Sequence, residues 1–282
     1  MKADCHMHMV LDGRNWKQAI GRHSSGVDPQ WIRQTLEQYR SRGYTYLRDG
    51  GDRWGVGAAA RAVAGEYGIT YRTPLAPLCM KGHYGGFIGL TYETMREYTQ
   101  LVLQQRRQGA DFVKIMISGL MDFDRCGVLT EEGLPSEQIR ELIHIAHEEG
   151  FAVMTHANGA RTVEAAAAAG VDSVEHGAYL DEGALAAMAQ QGTVWVPTLS
   201  TVGNLQGKGR FREETVREIL AGAMENVNRF AAMGGLLAPG SDAGAWAVEH
   251  GMDTEWSLLT RAIGPDAQKV LQQGIERIQQ RF

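Results

Sequence analysis

The sequence predicts an α/β protein in which one domain, residues 1–282, forms a barrel of eight parallel strands alternating with helices, the (β/α)8 or TIM barrel. Two observations predict this fold. Short apolar segments alternate with segments of helical period along the whole chain. In addition, side chains that can bind metals stand at the ends of several predicted strands. Because the carboxyl ends of all strands in a closed parallel barrel surround one point, this fold would bring such distant residues together.

The predicted strands are mostly apolar on both faces, as expected for strands covered by helices outside and by packed side chains inside. They cover 43–48, 69–79, 112–118, 151–156, 171–175, 193–199 and 235–240, after a first strand that ends at 6–8. Helical periodicity covers 31–42, 92–108, 136–149, 160–169, 182–191 and 213–233. An open, doubly wound sheet would also explain the alternation, but its ligands bind at one switch point. The barrel better explains candidate residues after strands one, four, five, six and eight.

Composition favours a small-molecule partner. Lys and Arg number 28 against 33 Asp and Glu, and the formal charge of -5 offers no basic surface for nucleic acid or an acidic membrane. The three cysteines form no CxxC pair, so a disulfide framework is not expected. No apolar run of about 18 residues is present, and we expect no leader. We therefore expect a cytoplasmic protein without nucleic-acid or membrane partners, and a homo-oligomer is left open.

Four histidines stand at predicted strand ends. His6 and His8 are two residues apart, so on an extended strand both imidazoles project to the same side and can bind one ion. His156 and His176 close two consecutive apolar strands, with room for one helix between them. Each histidine alone could cap a helix or satisfy a loop carbonyl. Their succession favours a shared site at the mouth of the barrel.

Two further residues have side chains that could bind metal. Lys114 is the charged residue in the apolar run 112–117, and lysine is rarely buried without a partner. Three explanations are open: an amine of lowered pKa that forms a Schiff base, a carbamate that bridges two cations, or a stem that reaches solvent. Asp242 lies among small residues, where it could bind metal and accept a proton, or cap a helix.

In residue type and order, this set resembles the full binuclear ligand set of the amidohydrolase superfamily. The segments 46–51, 146–159, 170–177 and 196–199 are also similar to the branch that contains imidazolonepropionase-like enzymes and Xaa-Pro or Xaa-Arg dipeptidases. Members of that branch usually carry a small β-sandwich built from sequence on both sides of the barrel, which we expect this chain to lack. The loop 80–86 also differs from the dipeptidase type.

The resemblance implies two divalent ions, which we expect to be zinc, although manganese, iron or cobalt would suit the same donors. The implied ligands are His6, His8 and Asp242 for the first ion, His156 and His176 for the second, and carbamylated Lys114 as the bridge. It further implies that a hydroxide shared by the ions attacks the scissile carbonyl. Asp242 would take the hydroxide proton and pass it to the leaving nitrogen.

The expected activity is hydrolysis of a C–N bond in a small substrate such as a dipeptide, an N-acyl amino acid or a cyclic amide. His83 is a candidate catalytic residue that would hold the carbonyl oxygen. Candidates for other substrate contacts are Tyr84, Lys81, Arg48 and Arg125. Three alternatives are open: a lactone or ester hydrolase on the same site, a Schiff-base enzyme, and a barrel that binds metal or ligand without turnover.

Overall fold

Strands and helices alternate along the chain in a computed structural model that describes all residues, 1–282. The strands are β1 (Lys2–Met7), β2 (Tyr44–Asp49), β3 (Thr70–Arg72), β4 (Leu78–Met80), β5 (Leu90–Tyr92), β6 (Val113–Met116), β7 (Val153–Ala157), β8 (Ser173–His176), β9 (Val194–Val196) and β10 (Leu236–Leu237). The α-helices are α1 (Trp16–Arg22), α2 (Pro29–Ser41), α3 (Val56–Ala64), α4 (Met95–Gln108), α5 (Ser136–Glu148), α6 (Ala160–Ala168), α7 (Glu182–Gln191), α8 (Ser200–Gly203), α9 (Glu213–Ala232), α10 (Thr254–Ile263) and α11 (Ala267–Arg281). No helix is both long enough and apolar enough to cross a membrane.

The strands form two sheets in which every pairing is parallel. One sheet has the order β1-β2-β3, and the other has the order β10-β9-β8-β7-β6-β4-β5. The segment after β10 lies against β1: the amide of Cys5 donates to the carbonyl of Pro239 at 2.8 Å, and that of Asp242 to the carbonyl of His6 at 2.7 Å. The predicted α/β class with parallel strands is confirmed, and the two sheets meet at β1 without one continuous ladder.

One predicted strand, 69–79, is divided into two in the structure. Its first part, β3, pairs with β2, whereas its second part, β4, pairs with β6 in the other sheet. Pro74 and Pro77 lie between the two parts, and proline has no amide hydrogen to donate to a ladder. Leu75 also has a left-handed backbone conformation, with φ 66°. The apolar pattern predicted the extended segment correctly but not this break.

A buried cluster joins strands of both sheets to the last helix. Its members from the strands and their flanks are Ala3, Cys5, Tyr46, Phe112, Ala152, Met154, Val194, Val196 and Ala238, and those from the C-terminal segment are Ile275, Ile278 and Phe282. The rings of Phe112 and Phe282 meet edge to face, with centroids 5.2 Å apart. Full burial of each large apolar side chain stabilises the fold by roughly 1.5–3 kcal/mol. The cluster gives the strand ends a packed support.

Candidate metal centre

The structure brings all six predicted metal ligands together. Each lies within or after a parallel strand: His6 near the end of β1, His8 just after it, Lys114 in β6, His156 near the end of β7, His176 at the end of β8 and Asp242 five residues after β10. His6, His8, Lys114 and His156 are buried, and only a small part of the Asp242 side chain is exposed. These side chains lie close together because the strands that carry them all run in the same direction.

Three of these side chains form a group of the size that holds one ion. Their ligand atoms, from His6, His8 and Asp242, all lie within 4.8 Å of one another. Oδ1 of Asp242 is 3.6 Å from Nε2 of each histidine. Nζ of Lys114 is 2.9 Å from Nε2 of His6 and 3.5 Å from Nε2 of His8. The lysine therefore ends beside this group, among buried polar atoms.

The other two histidines continue the site on the adjacent strands. The ring centroids of His156 and His176 are 4.6 Å apart, and those of His6 and His176 are 5.0 Å apart. Nε2 of His156 lies 3.1 Å from the carbonyl oxygen of Gly119, and Nδ1 of His176 lies 2.7 Å from Oγ1 of Thr198. Donation through these nitrogens leaves the opposite nitrogen of each ring free for a metal, a common arrangement around metal-binding histidines.

A buried ion pair that the sequence analysis missed lies behind His6. Oε2 of Glu175 is 2.9 Å from Nδ1 of His6, a close contact although its angle is not that of a good hydrogen bond. Oε1 of Glu175 accepts hydrogen bonds from Nη2 of Arg48 at 2.7 Å and from Oγ of Ser173 at 2.6 Å. Nε of Arg48 also donates to the carbonyl of Cys5 at 2.7 Å. Glu175 thus favours a proton on Nδ1 of His6, which leaves Nε2 free.

This arrangement corrects the prediction that Arg48 contacts substrate. Its side chain is fully buried, and its guanidinium lies 4.4 Å from the ring centroid of Phe282 in the C-terminal segment. A charged residue within a predicted strand was the available signal, as it was for Lys114. Both Arg48 in β2 and Glu175 in β8 carry that signal, but their pairing depends on which side chains point into the interior.

Burial keeps the site histidines neutral. It lowers the pKa of His156 to about 3 and lowers the pKa values of His6, His8 and His176 well below the ordinary histidine value. A neutral imidazole has a lone pair on one nitrogen and is the form that binds metal. The environment therefore prepares these rings for coordination.

Burial also acts on Lys114 and Asp242, in opposite directions. It lowers the pKa of the Lys114 ammonium and raises the pKa of the Asp242 carboxyl, and each of the two charges partly offsets this effect on the other. A lowered pKa increases the fraction of neutral Lys114 amine, the form that reacts with carbon dioxide. A raised pKa makes Asp242 a better proton acceptor.

Backbone conformations near the centre are unusual. His176, Thr198 and Asp242 have φ values of 69°, 51° and 55°, in the left-handed region that residues other than glycine rarely adopt. Each costs of the order of 1–3 kcal/mol, and such residues cluster at functional sites. Gly50 allows a close approach nearby, because a Cβ atom there would lie 2.2 Å from Cε1 of His8.

A cavity of about 660 Å³ opens over the centre, and His8, His176 and Asp242 are among its lining residues. Tyr84, one of the predicted substrate contacts, also lines it, and its ring centroid is 4.7 Å from that of His156. The cavity gives a small molecule access to these side chains.

Three other predicted substrate or catalytic residues do not line this cavity. Nδ1 of His83 lies 3.2 Å from Oε1 of Glu131, and much of the imidazole is exposed. Lys81 is exposed and pairs with Glu93, and Arg125 pairs with Asp122. The geometry thus gives no support to a catalytic role for His83 or to substrate contacts by the other two. Residue type alone could not separate these solvated side chains from Tyr84.

The donor set of the candidate centre suits a divalent cation. It combines four neutral imidazoles, one carboxylate and one lysine, and nitrogen and oxygen donors of this kind suit zinc and its neighbours in the first transition series. Lys114 supplies an oxygen donor only after carbamylation, since a protonated amine has no lone pair to share. Its position beside the histidines is compatible with that modification.

Comparisons with known proteins agree with the fold. No protein-family model matches the chain. It is 25% identical over 240 residues to the ochratoxinase of Aspergillus niger, covering 71% of this chain and 47% of that protein. The chain spans about half the length of the curated relatives it matches.

Solved structures extend the likeness to most of the chain. A Xaa-Pro dipeptidase with bound methionine superimposes with a TM-score of 0.78 at 20% identity, covering 98% of this chain and 74% of that one. Ochratoxinase from A. niger superimposes with a TM-score of 0.77 at 19% identity, covering 95% of this chain and 68% of that one. The chain therefore has the α/β fold of amidohydrolase-type proteins, and the resemblance inferred from its motifs is confirmed at that level.

Proposed function

We propose that this protein hydrolyses an amide C–N bond in a small molecule and that two divalent metal ions bound at the candidate centre are required. The observation that carries the proposal is the convergence of the six side chains beneath one cavity. The names of the similar proteins, a Xaa-Pro dipeptidase and an ochratoxinase, support an amide rather than another bond. The proposed partner is the substrate itself.

We also propose that the two sheets are parts of one eight-stranded barrel. In this interpretation β3 and β4 are halves of its third strand, and β5 is an addition beside β4. Hydrogen bonds between β1 and the segment 239–243, which follows β10, support closure of the barrel between its first and last strands. A barrel of this type places its active site at the carboxyl ends of the strands, where the candidate centre lies.

The ions would be divided between two groups of donors. His6, His8 and Asp242 would hold one, His156 and His176 the other, and carbamylated Lys114 would bridge them. Zinc is the ion we propose, because imidazole and carboxylate donors suit it. When bound, a pair of such ions supplies Lewis acidity and a hydroxide nucleophile at neutral pH.

The residues of the chain itself supply proton transfer and orientation. The Asp242 carboxylate lies beside the histidine donors at the floor of the cavity, so it would accept a proton at the centre and deliver it to the leaving nitrogen. Tyr84, beside His156 in the cavity wall, is placed to orient the polar groups of an amide. Glu175 holds His6 from behind.

Metal analysis together with a substrate panel tests the proposal. Protein supplied with zinc and bicarbonate is expected to bind two ions per chain and to hydrolyse members of a panel of dipeptides, N-acyl amino acids and cyclic amides. His156→Ala should bind about one ion and lose at least about 100-fold in kcat/KM, equivalent to about 2.7 kcal/mol.

His144→Ala is the matched control. This histidine lies on α5, is largely exposed and pairs with Glu148, so its removal should change neither the number of bound metal ions nor the rate of hydrolysis. Fewer than one ion per chain in the unmodified protein, combined with unchanged hydrolysis in His156→Ala, would refute the proposal. A lactone in the panel tests ester hydrolysis at the same centre.

A further inference from the structure

The walls of the cavity are aromatic, in contrast to its polar floor. They include Trp16, Phe87, Phe123, Phe211 and Trp246. The rings of Trp16 and Phe87 are 5.4 Å apart between centroids, and those of Phe123 and Phe211 are 5.2 Å apart. Aromatic side chains of this size offer a large apolar contact surface to a ligand. The cavity is therefore suited to a molecule with a bulky apolar group.

Two cationic side chains, Arg14 and Arg210, also line the cavity, and they differ in their partners. Arg14 donates to both carboxylate oxygens of Glu249, through Nε at 3.0 Å and Nη2 at 3.1 Å. Arg210 forms no ion pair in the structure. Its guanidinium carbon lies 4.4 Å from the ring centroid of Trp246 and 5.2 Å from that of Phe211. Arg210 is thus the cation that a ligand can use.

The cavity lacks the complementary group for a ligand ammonium. Asp242 is the one carboxylate among its lining residues, and it belongs to the metal centre. Glu249 is paired with Arg14 outside the lining, and Glu131 lies beside His83. A free α-amino group would therefore enter without an anionic partner, and an unpaired buried charge is unfavourable.

We propose that Arg210 is a specificity-determining residue that binds a substrate carboxylate, and that the substrate is an N-acyl amino acid with a large apolar group rather than a dipeptide with a free amino terminus. The proposal rests on the proposed function for the bond that is cleaved. Contact with Trp246 orients the planar guanidinium and leaves its N–H edge free. That edge matches a carboxylate through two parallel hydrogen bonds.

Three matched compounds separate these features: N-benzoyl-L-phenylalanine, its neutral C-terminal amide, and the zwitterionic dipeptide Phe-Phe. Cleavage of the amide bond between the benzoyl group and phenylalanine, or of the peptide bond in Phe-Phe, is followed by chromatography. Binding to the zinc-loaded protein is measured by calorimetry. The acid is expected to be preferred over both other compounds by at least about tenfold in kcat/KM, which corresponds to about 1.4 kcal/mol.

Arg210→Gln should raise KM and Kd for the acid about tenfold, change kcat less than about twofold and leave values for the neutral amide unchanged. Arg210→Lys should restore part of the loss, because it keeps the charge but not the planar fork. Lys208→Gln removes an exposed cation of the same loop that does not line the cavity, and it should have no effect.

Calorimetry keeps this proposal distinct from the proposed function. If the acid binds with Arg210-dependent affinity but is not cleaved, the substrate-binding proposal stands and the amide-hydrolase proposal fails for this compound class. Equal losses for the acid and the neutral amide in Arg210→Gln would overturn the role of Arg210. Preferential binding of Phe-Phe would overturn the substrate class.

Discussion

Removal of Arg48 should destabilise the protein strongly, because it would leave Glu175 as an uncompensated charge in the interior. Both side chains are fully buried, and the two form an ion pair at 2.7 Å. Arg48 also donates to Ser173 at 2.9 Å and to the carbonyl of Cys5 at 2.7 Å. Breaking one partner of a buried pair typically destabilises a protein by about 3–5 kcal/mol. We expect that range for Arg48→Met.

Urea unfolding at pH 7 measures this change in the free energy of unfolding. For a chain of this size, thermal unfolding should shift by roughly 2–4 °C per kcal/mol, so the melting temperature should fall by about 6–20 °C. The double variant Arg48→Met/Glu175→Gln removes both charges and should recover more than half of the loss. It should still bind metal less tightly than the unmodified protein, because His6 would lose its anionic neighbour. A loss below about 1 kcal/mol in Arg48→Met would refute the reasoning.

Two other changes test local features of the fold. Gly50→Ala would place a methyl group 2.2 Å from Cε1 of His8 and should reduce metal stoichiometry measured after dialysis, whereas Gly65→Ala, with open space around the new methyl group, should not; equal stoichiometry in both variants would contradict the steric argument. Burial raises the pKa of Glu255, which accepts hydrogen bonds from Ser200, to about 8. Because this value exceeds the unfolded one, the protonated carboxyl favours folding at low pH, and that contribution disappears between about pH 4.5 and 8. Glu255→Gln should therefore gain stability relative to the unmodified protein from pH 5 to pH 9, by more than about 1.4 kcal/mol in urea unfolding; a constant difference would contradict the assignment.

The convergence of the candidate metal ligands could be predicted from the sequence because their signal is local. A histidine, lysine or aspartate within or just after an apolar run is visible without knowledge of packing, and parallel strands bring their carboxyl ends to one side of the sheet. His6 and Asp242 illustrate this, since they are far apart in sequence and 3.6 Å apart in the structure. Residues that occupy equivalent positions on parallel strands therefore lie close together in the fold, however far apart they are in sequence.

The surroundings of the metal centre could not be predicted in the same way. Arg48 carried a visible signal, but whether its side chain points inward to Glu175 or outward to a ligand depends on the pleat and on which layer of the interior it occupies. The aromatic wall of the cavity comes from the first residue of α1 and from separate loops, and loop conformations have no periodic pattern. Residue type alone therefore suggested both His83 and Tyr84, whereas in the structure Tyr84 lines the cavity and His83 does not.

The charges beneath the cavity make the state of Lys114 central to the proposed activity. Arg48 pairs with Glu175, and Glu175 lies behind His6 rather than among the candidate ligands. Asp242 then remains as the one anion of the donor set. A protonated Lys114 would oppose cation binding. A carbamate would replace its positive charge with a negative one and so change the net charge of the site by two. Because burial already lowers the pKa of this amine, the carbamate can form from its neutral state. A second anion beside Asp242 would therefore come from carbamylated Lys114, while the pair of Arg48 and Glu175 would support His6 from behind.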